Sequence, residues 1–313
     1  MNKLITATIC TYKRYDVLPK AIASLEKQSL GKDKYQVIVV DNSPDYDFAE
    51  TIKQKYHNPP YLTYVIEKIP GLSNARNVAA KTCGTEFISY MDDDAIASEH
   101  WLEKILAGFE QFGENAAVLG GRVDPLWESE RPSWLNDDLL CYVSAINWGG
   151  GNRIAKDHEW FAGTNISFRT KEILANGGFD VDLGRNGGGS VLLSNEETQL
   201  LEKIRDQGKL PIYIPEASVH HLVENRRLTH SWFRQRIVWQ AVSDYMMDSK
   251  TAVKDAQSGW DFVFEYLFNL PPRERTIRGL FYDTDDIQQF REQLWALSTV
   301  TTMMLTGFNL ADS

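Results

Sequence analysis

Three carboxylates stand in a row at Asp92-Asp93-Asp94, directly after the apolar run Phe87-Ile88-Ser89-Tyr90-Met91. Leaving a buried strand together, they repel one another unless a cation or solvent compensates. Oxygen donors select magnesium, manganese or calcium, and magnesium characteristically bridges one or two carboxylates to substrate phosphates. The competing reading is a solvated acidic turn capping a helix that begins near Ser98. A histidine pair, His220-His221, closes another strand-like run. Neutral imidazole binds manganese, whereas magnesium prefers oxygen, and such a pair also serves as hydrogen-bonded structure. Glu196-Glu197 opens a predicted helix, where acids complement the helix dipole whether or not they do chemistry.

The elements that carry these residues follow from periodicity. The first 122 residues alternate short β-branched apolar runs with segments of helical spacing, which predicts an α/β fold with a mostly parallel sheet flanked by helices. Strands are expected at 4–10, 36–41, 62–67, 86–91 and 116–121. Val17, Leu18, Ile22 and Leu25 form one helical face, and Trp101, Leu102, Ile105, Leu106 and Phe109 another. Ligands of such sheets bind beyond the carboxyl ends of the strands. Those ends carry Thr11-Tyr12-Lys13-Arg14, Asp41-Asn42-Ser43 and the acidic triplet, all on one rim.

Residues 124–158 lose both periods and read as loop-rich substrate territory. A strand is expected at 161–169, a helix from Thr170, strands at 212–214 and 217–221, and helices at 228–247 and 285–305. Between them Gly184 and Gly187-Gly188-Gly189 read as a flap rather than a phosphate loop, because no Gly-x-x-x-x-Gly-Lys-Ser/Thr pattern follows. Trp127, Trp134, Trp148 and Trp160 have the shape to stack on sugars, although packing in core or loop is their commoner use.

The order of motifs resembles the family 2 glycosyltransferases of the GT-A type over residues 4–245. Thr11-Tyr12-Lys13-Arg14 is similar to the family's opening Thr/Ser-x-Tyr-(Asn/Lys)-Arg. Val39-Val40-Asp41-Asn42-Ser43 matches its second strand end, and Gly71-Leu72-Ser73-Asn74-Ala75-Arg76-Asn77 its Gly-x-(Ser/Ala)-x-Ala-Arg-Asn helix start. Asp92 and Asp94 then form its Asp-x-Asp. Gly163-Thr164-Asn165-Ile166-Ser167-Phe168-Arg169, Gly177-Gly178-Phe179-Asp180 and Asn195-Glu196-Glu197-Thr198 resemble its acceptor half.

The resemblance implies a GT-A fold over residues 1–225, with a nucleotide-sugar half at 1–122, an acceptor half at 123–225, and a helical region at 226–313. It implies that Thr11, Tyr12, Arg14, Asp41, Asn42, Arg76, Asn77, Asp92 and Asp93 contact a nucleotide sugar. The metal, manganese or magnesium, falls to Asp92, Asp94 and His221, with His220 second. A guanidinium at a helix start suits phosphate, although a surface helix arginine is the bland reading of Arg76. Asp41 suits the N–H of a uracil-like base, or it caps the following turn. The family base is the second acid of a Glu-Asp pair. Here that position is Glu197, a departure that leaves the base between Glu197 and Glu196.

Composition narrows the partners. The chain has 313 residues, 43% hydrophobic and 24% charged, with formal charge −10, which disfavours broad contact with nucleic-acid phosphates. Cys10, Cys83 and Cys141 are odd in number and widely spaced, so they suit a reducing cytoplasm rather than a disulfide framework. Neither an export signal nor a transmembrane segment is read from the sequence, which leaves a cytoplasmic enzyme with room for peripheral association at the membrane.

The resulting expectation is an inverting, non-processive transfer from a nucleotide-diphosphate sugar, preferably UDP-linked, to a hydroxyl of a glycan, lipid-linked glycan or other acceptor. Processive relatives carry Gln-x-x-Arg-Trp, whereas Gln235-Arg236-Ile237-Val238-Trp239 has other spacing. The rivals are a nucleotidyltransferase making a nucleotide sugar and an inactive nucleotide- or glycan-binding relative. The first needs a glycine-rich loop after the first strand, a place held by Thr11-Tyr12-Lys13-Arg14.

Overall fold

The computed structural model describes residues 3–56, 59–185, 187, 191–247 and 256–311. They form two compact units, one of residues 1–126, 144–189 and 196–222, the other of residues 127–143, 190–195 and 223–313.

The first unit is built on a sheet in the order β3-β2-β1-β4-β8-β6-β9-β5, with β7 beside β9. β1 (Ile5–Thr11), β2 (Tyr35–Asp41), β3 (Leu62–Ile66) and β4 (Phe87–Asp92) pair in parallel. β8 (Ile166–Arg169) runs antiparallel to β4 and to β6 (Ala116–Trp127), so β6 regains the direction of β4. The short strands β5 (Ala95–Ala97) and β7 (Arg153–Ile154) pair antiparallel with β9 (Leu210–Val223).

Parallel strands covered on both faces must be apolar on both, and β2 shows how period two divides them. Val37 and Val39 enter a core with Ile5, Ala7 and Ile9 from β1. There they meet Leu18, Ala21, Ile22 and Leu25 of α1 (Leu18–Glu26) and Trp101, Leu102, Ile105 and Phe109 of α4 (Trp101–Phe112). Ile38 and Val40 enter the opposite core, with Ala75, Ala79 and Ala80 of α3 (Leu72–Thr82) and Leu200, Leu201 and Ile204 of α6 (Glu196–Asp206). The small α2 (Tyr46–Lys55) is capped by Asp45, which accepts from the Phe48 amide at 3.1 Å.

The expected strands of the first 122 residues are present, and β6 runs six residues beyond its expected end at 121. The segment expected as a strand at 161–169 begins instead with a 3₁₀ turn at Gly163–Asn165 before β8. The two short strands expected around Pro215 are one strand, β9. Its pairings with β7 at Ile212 and Tyr213 and with β5 at Val219, His220 and His221 leave Pro215 and Glu216 between them. The helix expected from Thr170 is α5 (Thr170–Ala175). Of the expected flap, Gly188 and Gly189 lie outside the described residues.

Close approach fixes part of this sheet. Asn165, fully buried, accepts from the Trp101 indole at 2.8 Å and donates to the carbonyls of Arg122 at 2.9 Å and Ala217 at 2.8 Å. A Cβ at Gly121 would fall 1.7 Å from the Ala217 oxygen and 2.5 Å from the Asn165 amide nitrogen, so β6 approaches β9 only without a side chain there.

The second unit is helical: α7 (His230–Met247), α8 (Ala256–Asn269) and α9 (Ile287–Ala311). Trp134 stands in its core, edge-on to Phe233 and Phe290 and 4.3 Å from the His230 ring centroid. Buried Arg234 donates to Gln293, to the Tyr282 carbonyl and to Asp283, and Gln293 donates onward to the Tyr266 hydroxyl. Among the described residues no helix is long and apolar enough to cross a membrane.

Gly121→Ala is expected to lower stability by about 1–3 kcal/mol, the usual range for overpacking. Gly84→Ala, where an added Cβ meets nothing within 4 Å, is the neutral control. Urea unfolding of both variants checks the pair; equal midpoints would show that β6 and β9 have room to part.

Candidate active site

The acids Asp92, Asp93 and Asp94 lie at the end of β4 and in the turn to β5, and α4 begins only at Trp101 with His100 as its N-cap residue. They therefore do not cap that helix. β5 pairs with β9 through Ala95 and His221, which brings the imidazole to the acids. His221 Nε2 lies 3.2 Å from Asp94 Oδ1 and 4.0 Å from Asp92 Oδ2. One ligand atom each from Asp92, Asp94 and His221 falls within 4.8 Å of the others, so these three residues form a group that could hold one metal ion. Asp94 and His221 are buried and Asp92 is half-buried, so the group opens on the Asp92 side. His220, its neighbour, is exposed and outside this group.

The loop after β1 turns onto the same acids. Thr11 Oγ1 donates to Asp93 at 2.7 Å, and Arg14 lies 2.8 Å from Asp94 and 3.7 Å from Asp93. Lys13 reaches this geometry with φ of 59°, its amide donating to the Ser43 hydroxyl at 2.8 Å. Burial, then the neighbouring Asp94 charge, pushes the Asp93 carboxyl up to about 8, while Thr11 and Arg14 pull the other way. Thr11 and Arg14, expected at the nucleotide, are thus tied to the acids themselves. Tyr12 stays half-exposed beside Lys13, whose ammonium lies 5.5 Å from the ring centroid.

Asp41 is fully buried. Its Oδ2 accepts from the hydroxyls of Tyr15 at 2.9 Å and Tyr64 at 2.7 Å, and its Oδ1 from the Ser43 amide at 3.0 Å. Burial and this carboxylate push the Tyr15 hydroxyl up to about 12, against a lowering bond from Ser43, and raise that of Tyr64 as well. Asn42 and Asn77, also expected at the nucleotide, meet main chain. Asn42 donates to Glu67 and Ile69 and accepts from the Gly71 amide at 2.7 Å, while Asn77 exchanges two bonds with Phe179.

Arg76, expected at the nucleotide sugar, faces three carboxylates. It is buried, and its Nη1 lies 2.8 Å from both Glu196 Oε1 and Glu197 Oε1, with Nη2 3.7 Å from Asp92. Burial would favour loss of its proton, yet Glu197, Glu196 and Asp92 together raise its pKa. Gly163 permits this contact, since a Cβ there would meet Arg76 Nη2 and Glu197 Oε1 at 2.0 Å each. Glu196 is buried, its Oε2 without a hydrogen-bond partner among the described residues, whereas Glu197 is partly open to solvent. Burial, then the Glu197 charge, pushes the Glu196 carboxyl up to about 7 against the pull of Arg76.

Sequence reasoning missed Tyr15, Tyr64 and the close approach at Gly163. Tyr64 was visible only as an aromatic in β3, and Tyr15 stands one residue beyond the motif that was read. Of the tryptophans, Trp134 is core, while Trp148 is half-buried and donates its indole N–H to the Trp160 carbonyl at 3.0 Å.

A carboxyl that holds its proton more firmly in the folded chain, at about 7 against 4.5, makes folding take up a proton over that interval. Stability is then lost as pH rises from about 4.5 through 7. Glu196→Gln removes this term, so its Tm relative to the parent chain is expected to rise between pH 5 and 8. Parallel Tm curves would show that the proton is not held there.

Comparison with known proteins bears on the family and the fold. The family model described as glycosyl transferase family 2 matches residues 6–175. The chain is 25% identical over 247 residues to the glucosyl-dolichyl phosphate glucuronosyltransferase of Haloferax volcanii, covering 78% of this chain and 77% of that protein. It is 24% identical over 230 residues to the succinoglycan biosynthesis protein ExoM of Rhizobium meliloti, covering 73% and 70%. In fold it resembles the mannosyltransferase PcManGT of Pyrobaculum calidifontis, solved with GDP-Man and Mn2+, with TM-score 0.60 at 16% identity over 96% of this chain and 86% of that one. Residues 1–349 of S. aureus TarS, solved with UDP, give TM-score 0.54 at 16% identity over 96% and 91%. The fold is that of the GT-A glycosyltransferases, and the chain belongs to glycosyl transferase family 2 as a sugar-transferring enzyme.

Proposed function

We propose that this enzyme moves a single sugar from a uridine-diphosphate sugar to an acceptor hydroxyl with inversion at the anomeric carbon. The observation that carries the reading is the convergence on buried Arg76 of the Glu196-Glu197 pair and Asp92, the open member of the Asp92-Asp94-His221 group. Acid-metal chemistry and a proton acceptor are what a displacement at a sugar phosphate requires.

In this reading Asp92, Asp94 and His221 would hold manganese or magnesium, which when bound would supply positive charge beside the donor diphosphate. Glu197, the more open of the pair, takes the proton of the acceptor hydroxyl, and the oxygen attacks the anomeric carbon from the face opposite the diphosphate. Arg76 holds Glu197 in place through the 2.8 Å contact of its Nη1 with Glu197 Oε1. Glu196 shares that guanidinium from the buried side and orients the helix start. The acceptor is a hydroxyl of a glycan or lipid-linked glycan, in keeping with the name of the Haloferax relative.

The uridine preference rests on Asp41 at the end of β2, now with its ring of Tyr15, Tyr64 and Ser43. A base N–H would have to share Asp41 with the two phenols. The fold does not choose the base, since its solved neighbours hold GDP-Man and UDP.

Calorimetric titration with manganese is expected to show nucleoside-diphosphate binding that Asp94→Asn weakens severely while the fold survives. Unchanged affinity would remove Asp94 from the metal site. In competition, uridine diphosphate is expected to outbind the guanosine, thymidine and cytidine diphosphates, and a strong guanosine preference would overturn the base assignment.

Glu197→Gln is expected to bind donor nearly normally and to lose about 10²–10⁴ in turnover, the usual share of general-base catalysis. Glu196→Gln should lose less at saturating donor and acceptor. A dead Glu196→Gln beside an active Glu197→Gln would move the base one residue, and two active variants would remove the proposed proton acceptor.

A further inference from the structure

The register of the sheet carries one further pair of polar side chains to the edge of the site. Tyr90 of β4 and Gly120 of β6 both stand opposite Ile166 of β8, and Tyr90 and Ile166 enter the core that α3 and α6 cover. A Cβ at Gly120 would strike the Phe161 ring of that same core. Side chains of a strand alternate between faces, so two residues further along Asp92 and Arg122 return to this one. Val123 agrees, since it enters the opposite core.

Neighbouring strands lie about 4.8 Å apart, which puts the backbones of Asp92 and Arg122 about 10 Å apart across the end of β8. The turn before β8 fills that interval. Thr164 Oγ1 accepts from the Asp92 amide at 3.4 Å, and Asn165 donates to the Arg122 carbonyl at 2.9 Å. A Cβ at Gly163 would meet Glu197 Oε1 at 2.0 Å, so the Glu197 carboxylate lies against the same turn. Arg122 thus flanks Glu197 from the side opposite Asp92.

Arg122 Nε donates to Asp124 Oδ2 at 2.9 Å, and the two side chains are 39% and 33% exposed. A pair so exposed adds little stability. Among the described residues, the other N–H groups of this guanidinium and Asp124 Oδ1 meet no hydrogen-bond partner. Donors and an acceptor stand side by side, fixed to each other by one bond, which matches adjacent hydroxyls on a sugar ring. Asp124 already balances the guanidinium charge, so the pair offers no net charge to a phosphate or carboxylate.

We infer that Arg122 and Asp124 bind two adjacent hydroxyls of an uncharged sugar across the turn from Asp92. Calling that sugar the acceptor rests on the reading of Glu197 as the base. Saturation-transfer NMR of the full chain is the test, with the methyl glycosides of glucose, galactose and mannose as probes and glucose 6-phosphate as the anionic probe, each with and without manganese and uridine diphosphate. At least one methyl hexoside is expected to bind saturably and more tightly than glucose 6-phosphate. Arg122→Ala and Asp124→Ala should each weaken it about tenfold or more, the scale of a hydrogen bond to a charged group. Arg122→Lys should weaken it too, because it keeps the charge and loses the planar fork. Calorimetry on the same variants should return an unchanged affinity for uridine diphosphate with manganese, and unchanged circular-dichroism melts establish that they are folded.

Hexoside binding without nucleotide binding would leave this inference standing and remove the donor assignment. A parent chain that binds no methyl hexoside, with or without nucleotide, overturns the inference, as does equal binding by parent and variants. So do tighter binding of glucose 6-phosphate and a joint loss of sugar and nucleotide, which would make the pair part of the donor site.

Discussion

A single buried cation organises the candidate site. Arg76 sits in the second turn of α3 with carboxylates on two sides, Glu196 and Glu197 at 2.8 Å and Asp92 at 3.7 Å. Two adjacent glutamates at a helix start, one of them fully buried, would repel each other and resist burial without it. The guanidinium has five donors in a fixed fork, so it serves both glutamates and still faces Asp92. Gly163 leaves the space in which this contact occurs. The position of α6 relative to the end of β4 thereby becomes an electrostatic matter as well as one of apolar packing.

The rim around this centre is tied loop to loop rather than left open. Thr11 and Arg14 hold Asp93 and Asp94, Lys13 holds Ser43, Asn42 holds Gly71, and the Leu72 amide donates to the Arg185 carbonyl at 2.9 Å. Apart from Arg185, each of these residues stands at or just beyond the end of a strand or at the start of a helix. Cross-links of this kind fix the spacing of groups that must act together, because side chains on separate loops hold position only when their own partners restrain them. Asp41 is the extreme case, a carboxylate immobilised by two phenols and one amide in the fully buried end of β2.

Much of the fold was legible in the sequence because parallel strands covered on both faces are uncharged, mostly apolar runs, and β1, β2 and β4 are of that type, with Thr6, Thr8 and Ser89 as small buried polar residues. The acids after β4 and the histidine in β9 were legible as chemistry for the same reason, since polar groups at strand ends stand out against such runs. Their partners were not. Arg76 and Glu196 are 120 positions apart, and no local pattern says that a helix-start arginine will meet a helix-start glutamate. Strand β5, three residues long, was hidden between the acids and α4, yet it is what carries Asp94 to His221. Pro215 made β9 look broken, because proline argues against a strand interior unless, as here, it falls between the described pairings with β7 and β5.

The central claim is that the Arg76 charge exists to hold the two glutamates, and a double-mutant cycle measures that claim directly. Unfolding free energies are compared for the parent chain, Arg76→Met, Glu196→Gln/Glu197→Gln and the combined variant. Removing one partner of a buried ion pair strands the other charge, so Arg76→Met alone should lose about 3–5 kcal/mol. In the chain already lacking both carboxylates, the same substitution should lose much less, giving a large coupling energy. An equal loss in both backgrounds would contradict the account and leave Arg76 as a packing residue whose charge the site does not use.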